Sequence, residues 1–182
     1  MPKKLIDIEN LVHWALADQQ ADVAASVSEH VGLGYSSSRG ALATVQELGT
    51  YVQEGEVERL IANNCNADAF AVFDAVQALP SEARDLVLFH GKKGTRPDWY
   101  PEGAGKRVPR VGRFGKPATI KQSDGKAYPI YDWDGIAPHV VNEARAAYAV
   151  WWAALEQLAH NLEKNLDDHN PQPPRAAAKP WE

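Results

Sequence analysis

Sulfur-containing residues are almost absent from this chain of 182 residues, which has one cysteine, Cys65, and one methionine, Met1. A single cysteine cannot form a disulfide within the chain, as is usual in a reducing compartment. No stretch approaches 18 consecutive apolar residues, and the N-terminal sequence MPKKLIDIENL reaches acidic residues before any long apolar run. We therefore expect no membrane span and no signal peptide, and we predict a cytoplasmic protein.

Recognisable catalytic motifs are lacking as well. The sequence has no GxSxG, no HExxH and no cysteine pair with metal-ligand spacing. Gly32 and Gly34 have neither the spacing nor the preceding strand of a nucleotide-binding loop. These absences favour a protein without enzymatic activity, and we predict no cofactor.

Positive charge is concentrated in one stretch, Lys92 to Lys126, which reads KKGTRPDWYPEGAGKRVPRVGRFGKPATIKQSDGK. Ten of its residues are Lys or Arg and three are Asp or Glu, a net charge of +7 in a chain whose total is −5. Basic side chains bind phosphates and aromatic rings stack on bases, so this composition predicts contact with nucleic acid. The candidate residues are Lys92, Lys93, Arg96, Trp99, Tyr100, Lys106, Arg107, Arg110, Arg113, Phe114, Lys116, Lys121 and Lys126.

The same basic stretch is compatible with two roles that involve no nucleic acid. The residues outside it carry a net charge of −12, so it could be a solvated loop that balances the protein's own acidic helices. It could equally contact the acidic surface of another protein.

Helical spacing of apolar residues predicts most of the remaining structure. The predicted helices run from Asp7 to Ala17, from Asp22 to Val31, from Ser37 or Ser38 to Gln53, from just after Asn66 to Leu79, from Ser81 to His90, and from Pro138 to Asp168. Asp7 and Asn66 are suited to cap their helices. The last helix carries an apolar stripe of Val141, Ala144, Tyr148, Trp151, Leu155, Leu158, Leu162 and Leu166.

One β-hairpin is predicted. Ala118–Gln122 and Lys126–Asp132 flank Ser123-Asp124-Gly125, and Asp-Gly is a common turn pair in hairpins. Pro129 has no N–H to donate, so its strand should be exposed or at an edge. We therefore predict a mainly α fold, with a multi-helix body, a long C-terminal helix and one exposed, wing-like hairpin. Residues 1–169 should form one domain, with a basic arm and hairpin at 92–133, followed by a loose proline-rich tail at 170–182.

The sequence DAVQALPSEARDLVLFHGKKG resembles the start of a σ-factor region-4 module, in which a helix, Leu-Pro, a charged first turn and an apolar helix follow one another. The resemblance covers about 20 of 182 residues and implies a DNA-binding helix pair. The chain departs from that pattern afterwards, because Pro97 and Pro101 leave no room for a recognition helix.

The layout of acidic helices followed by a basic arm is similar to that of small transcription regulators encoded by phages and prophages. This similarity implies DNA rather than RNA as the ligand, with RNA polymerase as a possible protein partner. We predict a nucleic-acid-binding regulatory protein that has no membrane partner.

Two alternative functions remain open. The long helix and the tail with Trp181 could form a protein-interaction or oligomerisation module, for example a homodimer. Alternatively, Asp132, Asp134, His139 and Glu143 could hold a divalent metal ion for phosphodiester hydrolysis, since His139 and Glu143 lie four residues apart on a predicted helix. Acidic residues at a helix start are also favoured by the helix dipole without any metal.

Overall fold

The computed structural model describes residues 3–32, 64–112 and 115–182, with the backbone alone described for 27–32. Five α-helices and six short strands follow one another in this part of the chain. They are β1 (Lys4–Asp7), α1 (Ile8–His13, continued by a π-helical segment at Trp14–Asp18), α2 (Ala21–Gly32), α3 (Ala67–Gln77), α4 (Ser81–Lys93), β2 (Lys106–Pro109), β3 (Thr119–Lys121), β4 (Ala127–Pro129), β5 (Tyr131–Asp134), α5 (Pro138–Leu162) and β6 (His169–Gln172). The prediction of a mainly α fold with a long C-terminal helix and an exposed hairpin is confirmed.

The described chain divides into two compact units. The first unit comprises the described part of Met1–Arg96 together with Val150–Ala178. The second comprises Pro97–Ala149, apart from 113–114, together with Lys179–Glu182. The division at residue 97 falls inside the basic stretch, five residues after Lys92.

Helix ends in the first unit follow the local sequence signals. Asp7 caps α1 by accepting a hydrogen bond from the Asn10 N–H at 3.0 Å, and Asn66 caps α3 by accepting one from the Asp68 N–H at 2.8 Å. Gly94 ends α4 with φ at +61°, a left-handed conformation that glycine adopts without strain. The predicted helix from Ser37 or Ser38 to Gln53 lies outside the described residues.

The core of the first unit forms where α1, α3, α4 and the C-terminal half of α5 bury their apolar faces. Gly91 allows α1 and α4 to approach closely, because a Cβ atom there would lie 2.6 Å from Val12 Cγ1. The buried apolar side chains include Ile8, Leu11, Val12, Leu16, Val72, Val76, Val87, Trp151, Leu155, Leu158, Leu162 and Leu166. The later part of the stripe on α5 is therefore a core surface of this unit.

Helix α5 ends at Leu162, six residues before the predicted end at Asp168. The buried carboxylate of Asp68 accepts hydrogen bonds from the backbone N–H groups of Asp167, Asp168 and His169, at 2.7, 3.0 and 3.0 Å. Those N–H groups would otherwise continue the helical ladder. Residues 167–169 are instead bound by a side chain about 100 residues away in the sequence.

The segment predicted to be a loose tail is folded. Residues 169–172 form β6, which pairs in parallel with β1, so that Leu5 lies opposite Asn170 and Ile6 opposite Pro171. Pro171 is tolerated because this sheet has only two strands, and each strand is an edge. Further along, Ala176 is buried, its N–H donates to Glu9 Oε1 at 2.9 Å, and its carbonyl accepts from Trp152 Nε1 at 2.8 Å.

The second unit contains two antiparallel strand pairs and the N-terminal half of α5. β2 pairs with β5, and β3 pairs with β4 in the predicted hairpin, whose turn includes Gly125 at φ +77°. Trp181 belongs to this unit, where its ring lies 5.7 Å from that of Tyr148 and 6.4 Å from that of Trp99. The aromatic residue at the end of the chain thus packs on the protein itself.

Candidate nucleic-acid interface

We call residues 106–134 of the second unit, apart from 113–114, the β arm. Of its basic residues, Lys106 and Arg107 lie on β2 and Lys121 on β3, whereas Arg110, Lys116 and Lys126 lie between strands. Backbone hydrogen bonds hold its two strand pairs together where they meet: Arg110 N–H donates to the Ile130 carbonyl, Ile130 N–H to Ala118, and Ala118 N–H to Arg110, at 2.7 to 2.9 Å. The described residues of the arm therefore form connected β structure where the sequence alone indicated an extended loop leading to a hairpin.

Lysines in the arm are exposed. Lys106, Lys116, Lys121 and Lys126 all point to solvent, and none forms an ion pair with a residue that the structure describes. Ammonium groups in this state are available to phosphates.

The two described arginines of the arm have partners. The guanidinium of Arg110 binds the carboxylate of Asp132 with two nitrogens, at 2.8 Å from Nε and 2.6 Å from Nη2. These hydrogen bonds hold the pKa of Asp132 below its usual value and raise that of Arg110. The guanidinium carbon of Arg107 lies 4.2 Å from the centroid of the Tyr131 ring.

Exposed apolar surface is concentrated in the same arm. Of the eight large hydrophobic side chains that are exposed in the described residues, six belong to it: Val108, Val111, Ile120, Tyr128, Tyr131 and Trp133. Tyr128 is fixed by its hydroxyl group, which donates to Asp124 Oδ2 at 2.8 Å, and this hydrogen bond raises the pKa of the phenol. An exposed patch that is both aromatic and basic is typical of a binding surface.

Three predicted binding residues belong to the first unit and are engaged there. Lys92 forms an ion pair with Asp22, and Lys93 Nζ lies 3.9 Å from the centroid of the Phe89 ring. Arg96 Nε donates to Glu9 Oε2 at 2.7 Å. These side chains have partners within the first unit that the sequence did not indicate.

Trp99 and Tyr100 lie outside the arm within the second unit. Trp99 is half-buried, its ring packs near Trp181, and its carbonyl accepts from Arg145 Nε at 3.3 Å. Tyr100 lies in a turn with φ at +53°, and its backbone N–H donates a hydrogen bond to Asp98 Oδ1. Trp99 is thus a packing residue of this unit. Arg113 and Phe114 lie outside the described residues.

The proposed metal ligands are not gathered into a metal site. Asp132 is bound by Arg110, Asp134 lies on β5, and His139 and Glu143 are exposed on α5. No group of three or more His, Cys, Asp or Glu side chains suited to a metal ion occurs in the part of the chain that the structure describes.

Sequence reasoning missed the aromatic residues of the arm that are most exposed. Tyr131 and Trp133 are two residues apart on β5, so they share one face of the strand. The alternation of aromatic and acidic residues in the sequence YDWD is the signal that could have identified them. Both residues follow Lys126, where the basic stretch ends.

Comparison with known proteins gives no relative for this chain. No protein-family profile, no curated protein and no solved structure matches it. The helix pair of the σ-factor-like stretch is present as α3 and α4, and no helix follows between 94 and 105. Among the described helices, none is both long and apolar enough to cross a membrane.

Proposed function

We propose that this protein binds nucleic acid through its β arm and acts as a transcription regulator of the kind that phages and prophages encode, with DNA as the preferred ligand. The observation that carries the proposal is the combination of exposed lysines and exposed aromatic residues on one ordered β structure. The preference for DNA and the regulatory role are supported only by the layout of the chain and by the σ-factor-like stretch.

The alternatives are supported less well. The apolar stripe expected to pair with another protein is largely buried within the chain, and Trp181 packs on Tyr148. The nuclease alternative needs Asp132 as a metal ligand, but Arg110 already binds that carboxylate.

Charge removal in the arm tests the proposal. We expect the triple substitution Lys116→Ala, Lys121→Ala and Lys126→Ala to weaken binding to all sequences alike, because each lysine contributes by binding phosphate. The slope of log K against log salt should shrink by up to about 0.9 for each phosphate released on duplex DNA, or about 0.7 on single strands. Fluorescence anisotropy of labelled oligonucleotides at several salt concentrations measures both quantities.

A matched control removes the same charge elsewhere. Lys4, Lys164 and Arg175 are exposed in the first unit and form no ion pair with a described residue, so their triple substitution to Ala changes the net charge equally. We expect this control to retain most of the affinity and the salt slope. Equal reductions in the two triple variants would mean that binding depends on net charge alone and not on the arm. Absence of any binding at about 50 mM salt, where phosphate binding is strong, would refute the proposed function.

A further inference from the structure

The two faces of the β2–β5 ladder differ in charge. Residues directly opposite each other in an antiparallel pair share a face, and Arg107 lies opposite Trp133 while Pro109 lies opposite Tyr131. One face therefore presents Arg107, Pro109, Tyr131 and Trp133 and has no carboxylate. We call it the aromatic face.

The opposite face carries both acidic residues of the ladder. Lys106 lies opposite Asp134 there, and Val108 lies opposite Asp132. Asp134 has no described ion pair, so its charge is left to repel a polyanion, whereas the charge of Asp132 is balanced by Arg110. A phosphate backbone is consequently favoured on the aromatic face.

The geometry of the aromatic face suits base stacking. Trp133 is 44% exposed and Tyr131 40% exposed, although both belong to residue types that are usually more buried. The guanidinium of Arg107 lies over the Tyr131 ring, with its carbon 4.2 Å from the centroid. The ring of Trp133 has no aromatic or cationic partner among the described residues.

We propose that the aromatic face binds a single-stranded polynucleotide, with one base stacked on Trp133 and a neighbouring phosphate bound by Arg107. The inference rests on the proposed function and specifies its ligand. In a duplex the faces of the bases are covered by their neighbours and only their edges reach the grooves. Among nucleic acids, it is an unstacked base that can stack on an open tryptophan ring, and basic grooves lined with aromatic rings are the general means of holding single strands.

The test compares Trp133→Ala with Trp133→Phe on single-stranded oligo(dT), single-stranded oligo(U) and a duplex DNA of mixed sequence. We expect the wild-type protein to bind single strands more tightly than duplex. Trp133→Ala should reduce single-strand affinity by roughly 5- to 150-fold, the range that stacking on one aromatic side chain supplies, with little change on duplex. Trp133→Phe should recover a large part of that affinity, because a smaller ring still stacks. Comparing the affinities for oligo(dT) and oligo(U) shows whether the protein prefers single-stranded DNA or single-stranded RNA. A preference for either one supports the single-strand proposal.

Phe89→Ala is the matched control, because Phe89 is an exposed aromatic residue on α4 in the first unit. It should leave both affinities unchanged, and circular dichroism should show each variant to be folded. If duplex binds as tightly as single strands and Trp133→Ala has no effect, the single-strand proposal is overturned while the proposed function stands. If none of the three ligands binds, both are overturned.

Discussion

Asp68 shows how one side chain determines the course of a distant segment. Its carboxylate is buried, accepts three backbone N–H groups of residues 167–169, and also accepts a hydrogen bond from His169 Nδ1 at 2.8 Å. Burial alone would raise the pKa of Asp68, but the hydrogen bonds from Asp167, His169 and Asp168 hold it below its ordinary value of 3.8. The ionised carboxylate is therefore stabilised in the folded protein.

Replacing this carboxylate should be costly. Asp68→Asn puts an NH₂ group where an acceptor is required, so that buried N–H donors lose their partner. We expect the free energy of unfolding to fall by about 3–5 kcal/mol, the usual cost of removing one member of a buried charged network. Urea unfolding followed by circular dichroism measures this decrease. Asp74→Asn, at an exposed position on the same helix, should change the free energy of unfolding little.

The same carboxylate predicts an acid dependence of stability. Because its folded pKa is lowered, its contribution is fully present well above 3.8 and is lost as the pH falls from 3.8 through the lower folded value. Wild-type stability should therefore decrease more steeply with falling pH in that range than the stability of Asp68→Asn. Parallel curves for the two proteins would mean that Asp68 has nearly the same pKa in the folded and unfolded states.

At the scale of elements, local signals could be predicted from the sequence and distant pairings could not. The caps at Asp7 and Asn66, the hairpin turn at Asp124-Gly125 and the stripe of α5 depend on neighbouring residues, and the structure contains them. By contrast, the placement of residues 167–169 depends on Asp68, and β6 depends on pairing with β1 at the other end of the chain. A proline-rich composition indicates that a segment cannot form a helix, but it does not indicate whether another strand is present to pair with it.

The same distinction applies to the candidate site. Composition located the basic stretch, and the exposed lysines at 116, 121 and 126 agree with it. Composition could not indicate that Arg96 binds Glu9 or that Arg110 binds Asp132, since both partners lie outside the basic stretch. The basic stretch therefore has fewer unpaired cations than its composition suggests, and the availability of a charge depends on its contacts.

Pairing of β6 with β1 predicts that the C-terminal segment contributes to stability. A protein ending at His169 should lose most of the β1–β6 pairing, the hydrogen bonds of Ala176 to Glu9 and Trp152, and the burial of Pro171. We expect the free energy of unfolding to fall by roughly 2–5 kcal/mol, since each hydrogen bond contributes about 1 kcal/mol and apolar burial adds to it.

A protein ending at Ala178 is the control for this truncation, because it keeps β6 and Ala176. Its first unit should be nearly as stable as that of the full chain, which amide hydrogen exchange of α1 and α3 reports. Identical exchange in the two truncated proteins would mean that β6 and Ala176 contribute nothing to the first unit.

For the whole molecule, the distribution of charge limits how it can bind a polyanion. The chain carries −5 overall, and the residues outside Lys92 to Lys126 carry −12. A phosphate backbone is attracted only where basic residues are exposed and is repelled by most of the remaining surface. Binding should therefore be confined to a small area and should weaken steeply with salt, in contrast to a protein that coats nucleic acid over its whole surface.

The burial of the apolar residues of α5 bears on the oligomeric state. Two features of the sequence suggested association with a second copy of the chain. One is the apolar stripe of α5, and the other is Trp181 near the C-terminal end of the sequence. Trp151, Leu155 and Leu158 are buried within one chain, and Trp181 packs on Tyr148. We therefore expect light scattering to give a mass near 20.0 kDa and the melting temperature not to depend on protein concentration.

A mass of twice that value would mean that another surface associates, and the exposed aromatic face of the β arm is the first to examine. Trp133→Ala separates the possibilities, because it removes a large exposed apolar side chain without altering the core. If this variant becomes monomeric while the wild-type protein is a dimer, the aromatic face serves self-association, and single strands would have to compete with the second copy for Trp133. If wild-type and variant are both monomers and only the wild-type protein binds single strands tightly, the face is available to nucleic acid in every molecule.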